Sequence, residues 1–395
     1  MKISEASRSD FKQFSGFSKA FTNQNAFSAF LHRPLNSVED LKLQAEEKLT
    51  TYSSESRAVL VSVFRDQMLQ FASESQRRNL ELLEQEQTVT ITTGHQLTLF
   101  GGPLYLVYKV MHVVKLVEKF NTSSTTKKAV PVFWMASEDH DFEEISSATL
   151  FNQQLKWITE QTGAVGRMNT AEFSEVHSRF SELFVGKETV VQKLLSIPVD
   201  ENYAVYFQRF LIELFADYGV LVIQPDHSQL KKLFLPAILS ELENDNSLHA
   251  VEQTNAELIK AGYSPQAIVK NCNLFLLKEA KRTRIDRIAK GFAVDGEVFS
   301  LEQLQLLAEK SPESFSPNVI LRPVYQETIL PNICYVGGGG EMAYWVQLKG
   351  VFESKKVVFP IIAQRNSVIL IDAGSEKKMD AMNLSWLSFK DDKEQ

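Results

Sequence analysis

Thr88-Val89-Thr90-Ile91-Thr92-Thr93 runs straight into Gly94-His95-Gln96, and Gly101-Gly102-Pro103 follows. Six β-branched residues in a row suit a buried strand, because such side chains pack well on a pleated surface. The glycines end the strand. Pro103 suits the first turn of a helix, where its missing N–H would have no partner anyway. Residues 104–120 are apolar on most sides, interrupted by Lys109, His112 and Lys115, and are expected to form a helix packed on a sheet. A second buried strand, Val130-Pro131-Val132-Phe133-Trp134-Met135-Ala136, stops at Ser137-Glu138-Asp139-His140-Asp141-Phe142-Glu143-Glu144. Strand, glycine turn, helix and strand make one βαβ unit with a right-handed crossover.

Outward from this unit, residues 1–85 read as a polar, helical N-terminal region with apolar residues at helical spacing. Residues 203–218 read as a helix leading into the strand Gly219-Val220-Leu221-Val222-Ile223, and 226–262 as helical. Residues 274–298 are expected to form a strand pair carrying Lys281, Arg282, Arg284 and Arg287. That pair belongs to an insertion or small subdomain within 150–315, which otherwise continues the core. The alternation resumes with Val319-Ile320-Leu321, Arg322-Pro323 and a helix, then the strand Ile333-Cys334-Tyr335-Val336. Gly337-Gly338-Gly339-Gly340 leads to a helix over 341–353. A last strand, Val357-Val358-Phe359-Pro360-Ile361-Ile362, leads to Arg365 and Val368-Ile369-Leu370-Ile371. The fold class is therefore α/β: a mainly parallel sheet with core segments 86–150 and 315–375, binding its ligand beyond the carboxyl ends of the strands.

Net charge is −7 over 395 residues, which argues against a general nucleic-acid binder, since phosphate neutralisation needs a basic field. Two cysteines, Cys272 and Cys334, build neither a disulfide framework nor a CxxC metal site. The first residues lack the apolar run of a signal peptide, and the longest apolar stretches are broken by Lys, His or Glu. No membrane association and a cytoplasmic location are expected.

Three segments carry chemistry, each just past an expected strand. Around Gly94, His95, Gln96 and Gly102, glycines let the backbone approach a ligand, and a helix start offers unpaired N–H groups to an anion. His95 is a candidate acid, base or anion donor near neutral pH. Glu138, Asp139, His140, Asp141 and Glu143 crowd carboxylates and an imidazole together, which shifts pKa values and can set up a general base. The same residue types suit Mg²⁺, Mn²⁺ or Zn²⁺, but no residue is assigned to a metal. Gly338, Gly339 and Gly340 ahead of a helix can bring backbone N–H groups to an anion, while Glu341 beside them suits an amine. Lys109, Arg322, Arg365 and the Arg282/Arg284 pair are candidate clamps for a dicarboxylate, because guanidinium matches carboxylate as a two-pronged fork. Neither a P-loop nor the GxGxxG fingerprint is present.

In order and spacing these segments resemble the bacillithiol cysteine-adding enzymes (BshC). The resemblance rests on Thr93-Gly94-His95-Gln96 with Leu99-Phe100-Gly101-Gly102-Pro103-Leu104-Tyr105 and Tyr108-Lys109. It continues in Pro131-Val132-Phe133-Trp134 through Glu144, in Phe315-Ser316-Pro317-Asn318-Val319 with Arg322-Pro323, and in Gly339-Gly340-Glu341 with Tyr344-Trp345. It implies a Rossmann-like core similar to nucleotidyltransferases and class I synthetases, with inserted connecting segments. It also implies the last step of bacillithiol synthesis, amide formation between cysteine and the amine of glucosaminyl malate. On that reading Asp139, His140 or Asp141 is the base for the sugar amine, with His95 a further catalytic candidate. Gly94, His95, Gln96 and the Gly338, Gly339, Gly340 run hold anionic groups, and Lys109 and Arg322 hold the malate carboxylates. Gly102, Tyr105, Glu138, Glu143, Glu341 and Tyr344 complete the substrate-binding set.

Many members carry glutamine at the position of His95. Members also continue into a helical coiled-coil segment that mediates dimerisation. Residues 376–395 are expected to be its start, cut short or missing here, which weakens the expectation of a homodimer. The cofactor is unknown, with ATP and Mg²⁺ as candidates. The competing readings are a nucleotidyl- or phosphoryl-transferase using the same cleft, and a non-catalytic binding protein.

Overall fold

The computed structural model describes residues 3–386 and 388, apart from 187, 200, 201 and 279. Strands β1 (Thr88–His95), β2 (Lys128–Met135) and β3 (Leu221–Ile223) lie side by side and parallel. β4 (Leu274–Lys278), β5 (Lys281–Arg284) and β6 (Phe315–Pro317) form a separate small antiparallel sheet in the order β6-β4-β5. The chain then returns with β7 (Asn332–Gly337) and β8 (Ile361–Gln364), completing a five-stranded parallel sheet ordered β8-β7-β1-β2-β3. β1 is the middle strand, as its unbroken β-branched run fits a strand covered on both faces. Strand order reverses beside it, with β2 and β3 on one flank and β7 and β8 on the other, so the switch point falls at the end of β1.

The N-terminal region is helical as expected, with α1 (Val38–Thr51), α2 (Ser54–Met68) and α3 (Glu74–Glu84). Each starts at a serine, Ser37, Ser53 or Ser73, whose hydroxyl accepts a first-turn backbone N–H. These helices cover the core directly. Buried Gln44 donates to the Phe359 carbonyl at 3.0 Å, and buried Lys48 donates to the Glu327 carbonyl at 2.6 Å. α4 (Tyr105–Ser123) crosses from β1 to β2 and buries Val113, Val117 and Phe120 against Val89, Ile91, Ile333 and Ile361. It begins two residues after Pro103, which therefore belongs to the preceding turn and not to the first helical turn. α5 (Tyr203–Leu214) feeds β3, and α6 (Ser228–Glu243) follows. α7 (Arg322–Ile329) precedes β7, and α8 (Gly339–Trp345) follows it. No helix among the described residues is long and apolar enough to cross a membrane.

Four expectations change. Val319-Ile320-Leu321 is a turn entering α7, with Ile320 and Leu321 buried. The helix expected over 341–353 is two, α8 and Lys349–Ser354. Between them Gln347 is fully buried, and its side-chain oxygen accepts the Gln266 and Ala267 N–H groups at 2.9 and 2.8 Å. Residues 274–298 hold five short strands rather than one pair: β4 and β5, then Asp286–Ile288, Gly291–Val294 and Glu297–Phe299 in a sheet of their own. The last sheet strand starts only at Ile361, after Pro360, while Val368, Ile369 and Leu370 are exposed outside the sheet. The segment 376–395 begins within an exposed helix, Ala373–Ala381, and its continuation past Ser388 lies outside the described residues.

Candidate active site

A cleft of about 680 Å³ opens beyond the carboxyl ends of β1, β2, β7 and β8. The segments after those strands converge there: Gly94, His95 and Gln96 from β1, Glu138 and Asp139 from β2, Gly338 to Glu341 from β7, and Arg365 from β8. α4 adds Tyr105 and Lys109, α7 adds Arg322, and Tyr344 comes from α8. Thirteen residues picked from the sequence thus line one cavity: Gly94, His95, Gln96, Tyr105, Lys109, Glu138, Asp139, Arg322, Gly338, Gly339, Gly340, Glu341 and Tyr344. His140, Asp141, Glu143 and Gly102 do not line it, and the first three are exposed. Arg282 and Arg365, named from the sequence as further clamp candidates, line it as well, whereas Glu144 and Asn318 were left out of the site and Lys231 behind it was missed.

The β1 turn is built on a close approach. A Cβ at Gly94 would lie 3.0 Å from the Trp134 carbonyl oxygen, so a larger residue would push the two strand ends a few tenths of an ångström apart. The Gly94 carbonyl accepts from Lys109 at 2.6 Å, and Lys109 also donates to Glu341 at 2.7 Å. Lys109 is 2% exposed and gives two of its three N–H donors to these partners, which leaves one for a substrate carboxylate. Burial pushes its ammonium pKa down, while Glu341 opposes that fall. Burial likewise works against the Glu341 carboxylate, but Lys109, the Gly338 N–H and the Tyr335 hydroxyl hold its pKa at about 2.

Within the glycine run one N–H group is already taken. Gly338 donates to Glu341 Oε2 at 2.8 Å, so the protein's own carboxylate takes that N–H group. Gly339 also serves close packing, since a Cβ there would sit 2.8 Å from Ser18 Oγ, whereas a Cβ at Gly340 would meet open space.

His95 is a hydrogen-bonding imidazole. Its Nδ1 lies 3.2 Å from the Gln96 carbonyl and its Nε2 lies 3.3 Å from the Tyr105 hydroxyl. A carbonyl can only accept, so Nδ1 carries the proton and Nε2 accepts. Burial first, then Lys109, pushes the His95 pKa down to about 4, so the ring is neutral at pH 7. Glutamine can make both bonds. His95→Gln is therefore expected to keep kcat/KM within about ten-fold at pH 7. Because the folded value lies below the ordinary 6.5, the neutral ring stabilises the fold above 6.5, and that contribution is lost as pH falls toward 4. Urea titrations across that window should show a shallower acid-side loss in the variant.

On the β2 side, Gln96 Nε2 donates to Asp139 at 2.9 Å and to Glu144 at 2.7 Å. The His140 N–H also donates to Asp139, at 2.8 Å. Burial opposes ionisation of Asp139, yet His140, Gln96 and the Arg282 charge hold its pKa well below the carboxylate range. Asp139 is thus a fixed anion. Arg282 donates to His140 Nδ1 at 2.9 Å and lies over the Phe275 ring at 4.0 Å, which ties His140 outside the cleft. Glu138 is held from behind by Lys231, 0% exposed, at 2.7 Å; Lys231 also donates to the Phe315 carbonyl at 2.5 Å.

The β7 and β8 side has the opposite charge. Arg322 donates to the Tyr344 hydroxyl at 2.9 Å and faces the Tyr335 ring at 5.8 Å. Arg365 lies over the Tyr105 ring at 4.9 Å. Among the described residues, neither guanidinium forms an ion pair with a carboxylate, and both line the cleft. The described residues contain no group of three His, Cys, Asp or Glu placed to hold a metal ion.

Residues 1–366 match the family model described as "Bacillithiol biosynthesis BshC, N-terminal Rossmann-like domain". A relative from Flavobacterium johnsoniae, provisionally named cysteine ligase BshC, is 38% identical over 384 residues, covering 94% of this chain and 72% of the relative. One of the same name from Flavobacterium psychrophilum is 39% identical, covering 90% of this chain and 68% of the relative. Another, from Cytophaga hutchinsonii, is 41% identical over 78% of this chain and 59% of the relative.

Proposed function

The chain belongs to the BshC family, and from that premise we propose that its cleft joins cysteine to the amine of glucosaminyl malate. The enzyme is a ligase of bacillithiol biosynthesis with a Rossmann-like core, and we place it in the cytoplasm. The observation that carries the substrate reading is the division of charge across β1. Among the described residues Arg322 and Arg365 have no carboxylate ion-pair partner on one flank, and Glu138, Asp139 and Glu144 gather on the other. Malate's two carboxylates match a pair of open guanidiniums, which offer planar, two-pronged donors. The acidic flank suits the amines.

In the reaction a C–N bond forms between the cysteine carbonyl carbon and the sugar nitrogen, a carboxylate C–O bond breaks, and the nitrogen loses a proton. Asp139 is already bonded by Gln96 and the His140 N–H, so we assign proton acceptance to Glu138 or Glu144 instead. Each lines the cleft and, among the described residues, has hydrogen bonds to one carboxylate oxygen only. His95 and Gln96 hold the substrates in register, and the buried Lys109–Glu341 pair fixes the floor beneath them.

A free carboxylate is a poor electrophile toward an amine, so the test runs with and without ATP and Mg²⁺. Purified protein with glucosaminyl malate and cysteine should yield the amide, read by mass spectrometry as the summed mass of the substrates less one water. Folded protein that gives no conjugate in any arm would overturn the reading.

A further inference from the structure

Alternate residues of β1 send their side chains into a buried polar network that ends at the cleft. Thr92 Oγ1 donates to Asn332 Oδ1 at 2.9 Å, and Thr90 Oγ1 donates to the same oxygen at 3.3 Å. Asn332 Nδ2 donates to Glu327 Oε1 at 2.8 Å. Gln326 Nε2 donates to that same Glu327 oxygen at 2.8 Å, and Gln326 Oε1 accepts from Arg322 NH1 at 3.3 Å. Thr90, Thr92, Gln326, Glu327 and Asn332 are all 0–1% exposed.

The chain of bonds has one direction. A guanidinium can only donate, so Gln326 must present its oxygen to Arg322 and its NH₂ to something that accepts. Glu327 Oε1 is that acceptor. It takes two donors whether or not the carboxyl is protonated, because a proton would sit on Oε2. If the acceptor is lost, the Gln326 amide can turn and present NH₂ to the guanidinium, donor against donor. Arg322 would then keep only Tyr344 and the Tyr335 ring to place it.

From this arrangement we infer that Gln326 and Glu327 are positioning residues that aim Arg322 at the anionic group of the substrate. The inference rests on the proposed role of Arg322. Glu327 acts as a hydrogen-bond acceptor in this relay, and its charge is secondary. Lys48 favours the ionised Glu327 carboxyl through its charge, but among the described residues its hydrogen bond goes to the Glu327 main-chain carbonyl and not to a member of the relay.

The experiment is calorimetric titration with glucosaminyl malate, with steady-state kinetics in parallel. Gln326→Leu and Glu327→Leu should each weaken binding and raise KM about ten-fold with kcat little changed, the size expected for one hydrogen bond to a charged group. Glu327→Gln retains an acceptor and should stay within about two-fold of the parent. Lys48→Met should lower the melting temperature without moving KM. A merely structural role would separate Glu327→Gln from Glu327→Leu in melting temperature but not in KM.

Equal losses in those two variants, or an unchanged KM in folded Gln326→Leu, would overturn the inference. If Glu327→Leu fails to fold, Gln326→Leu decides alone. Undiminished binding by Arg322→Ala, or no binding by the parent protein, would overturn both this inference and the substrate reading above. Loss in Arg322→Ala with parent-like Gln326→Leu would overturn this inference alone.

Discussion

Replacing Lys231 with methionine is expected to lower the unfolding free energy by about 3 kcal/mol and activity by roughly 100-fold. Lys231 is wholly buried in α6, with its ammonium between Glu138 and the Phe315 carbonyl and 5.1 Å from the Tyr325 ring centroid. Methionine fills much of the volume but leaves the Glu138 carboxylate, 10% exposed, without its counter-charge. Breaking a buried pair by removing one partner is costly because a lone charge remains in a poorly solvated place. The stranded carboxylate can escape by protonating or by swinging out, and either removes a fixed anion from the acidic flank. Adding Glu138→Gln to Lys231→Met should recover most of the stability, since a neutral amide needs no counter-ion, yet leave activity low. Urea unfolding and the ligation assay on the two single variants and the double close this cycle. A Lys231→Met protein as stable as the parent would show that the pair contributes nothing.

Lys231 also shows where reading the sequence runs out. The signal was present: Lys231 falls on the same helical stripe as Phe234 and Ile238, both buried. A charge on an apolar stripe calls for a buried partner, but nothing local names Glu138, which is 93 residues away. The βαβ unit, by contrast, was legible because β-branched runs and glycine turns are local codes. Its strand ends then placed the cleft by topology. The fate of each polar group there was not local. The Gly337 to Gly340 run reads as an anion loop, yet its capping partner Glu341 sits only three residues past Gly338 and takes that N–H group itself. Lys109 looks like a free cation until Glu341 arrives from 232 residues away. Arg322 and Arg365 stand out for the opposite reason: Glu341 is near enough to act on their charge, yet among the described residues no carboxylate forms an ion pair with either. The small antiparallel sheets were hardest to read, because three- to five-residue strands carry too little periodicity to separate one hairpin from two.

Asp139→Asn is expected to reduce kcat/KM by about 30- to 100-fold through geometry rather than through loss of a base. The carboxylate receives Gln96 Nε2 and the His140 N–H, and Gln96 Nε2 also reaches Glu144. Two carboxylates facing one amide nitrogen leave Gln96 a single orientation. Asparagine can still accept from the His140 N–H, but it then turns an NH₂ toward Gln96. If Gln96 flips to accept it, the Gln96 oxygen meets the Glu144 carboxylate. One hydrogen bond is lost in either orientation, and Arg282 loses a neighbouring charge.

The pH dependence separates this role from catalysis. His140, Gln96 and Arg282 hold the Asp139 pKa well below the ordinary value of 3.8, so its stabilisation is present above that value and is lost only as pH falls further. A carboxylate held so firmly ionised accepts a proton poorly near neutrality. Between pH 6 and 9 the variant should therefore run parallel to the parent, lower by a constant factor. A loss beyond about 10⁴-fold together with a vanished pH limb would instead make Asp139 the base, in place of Glu138 and Glu144 on the same flank.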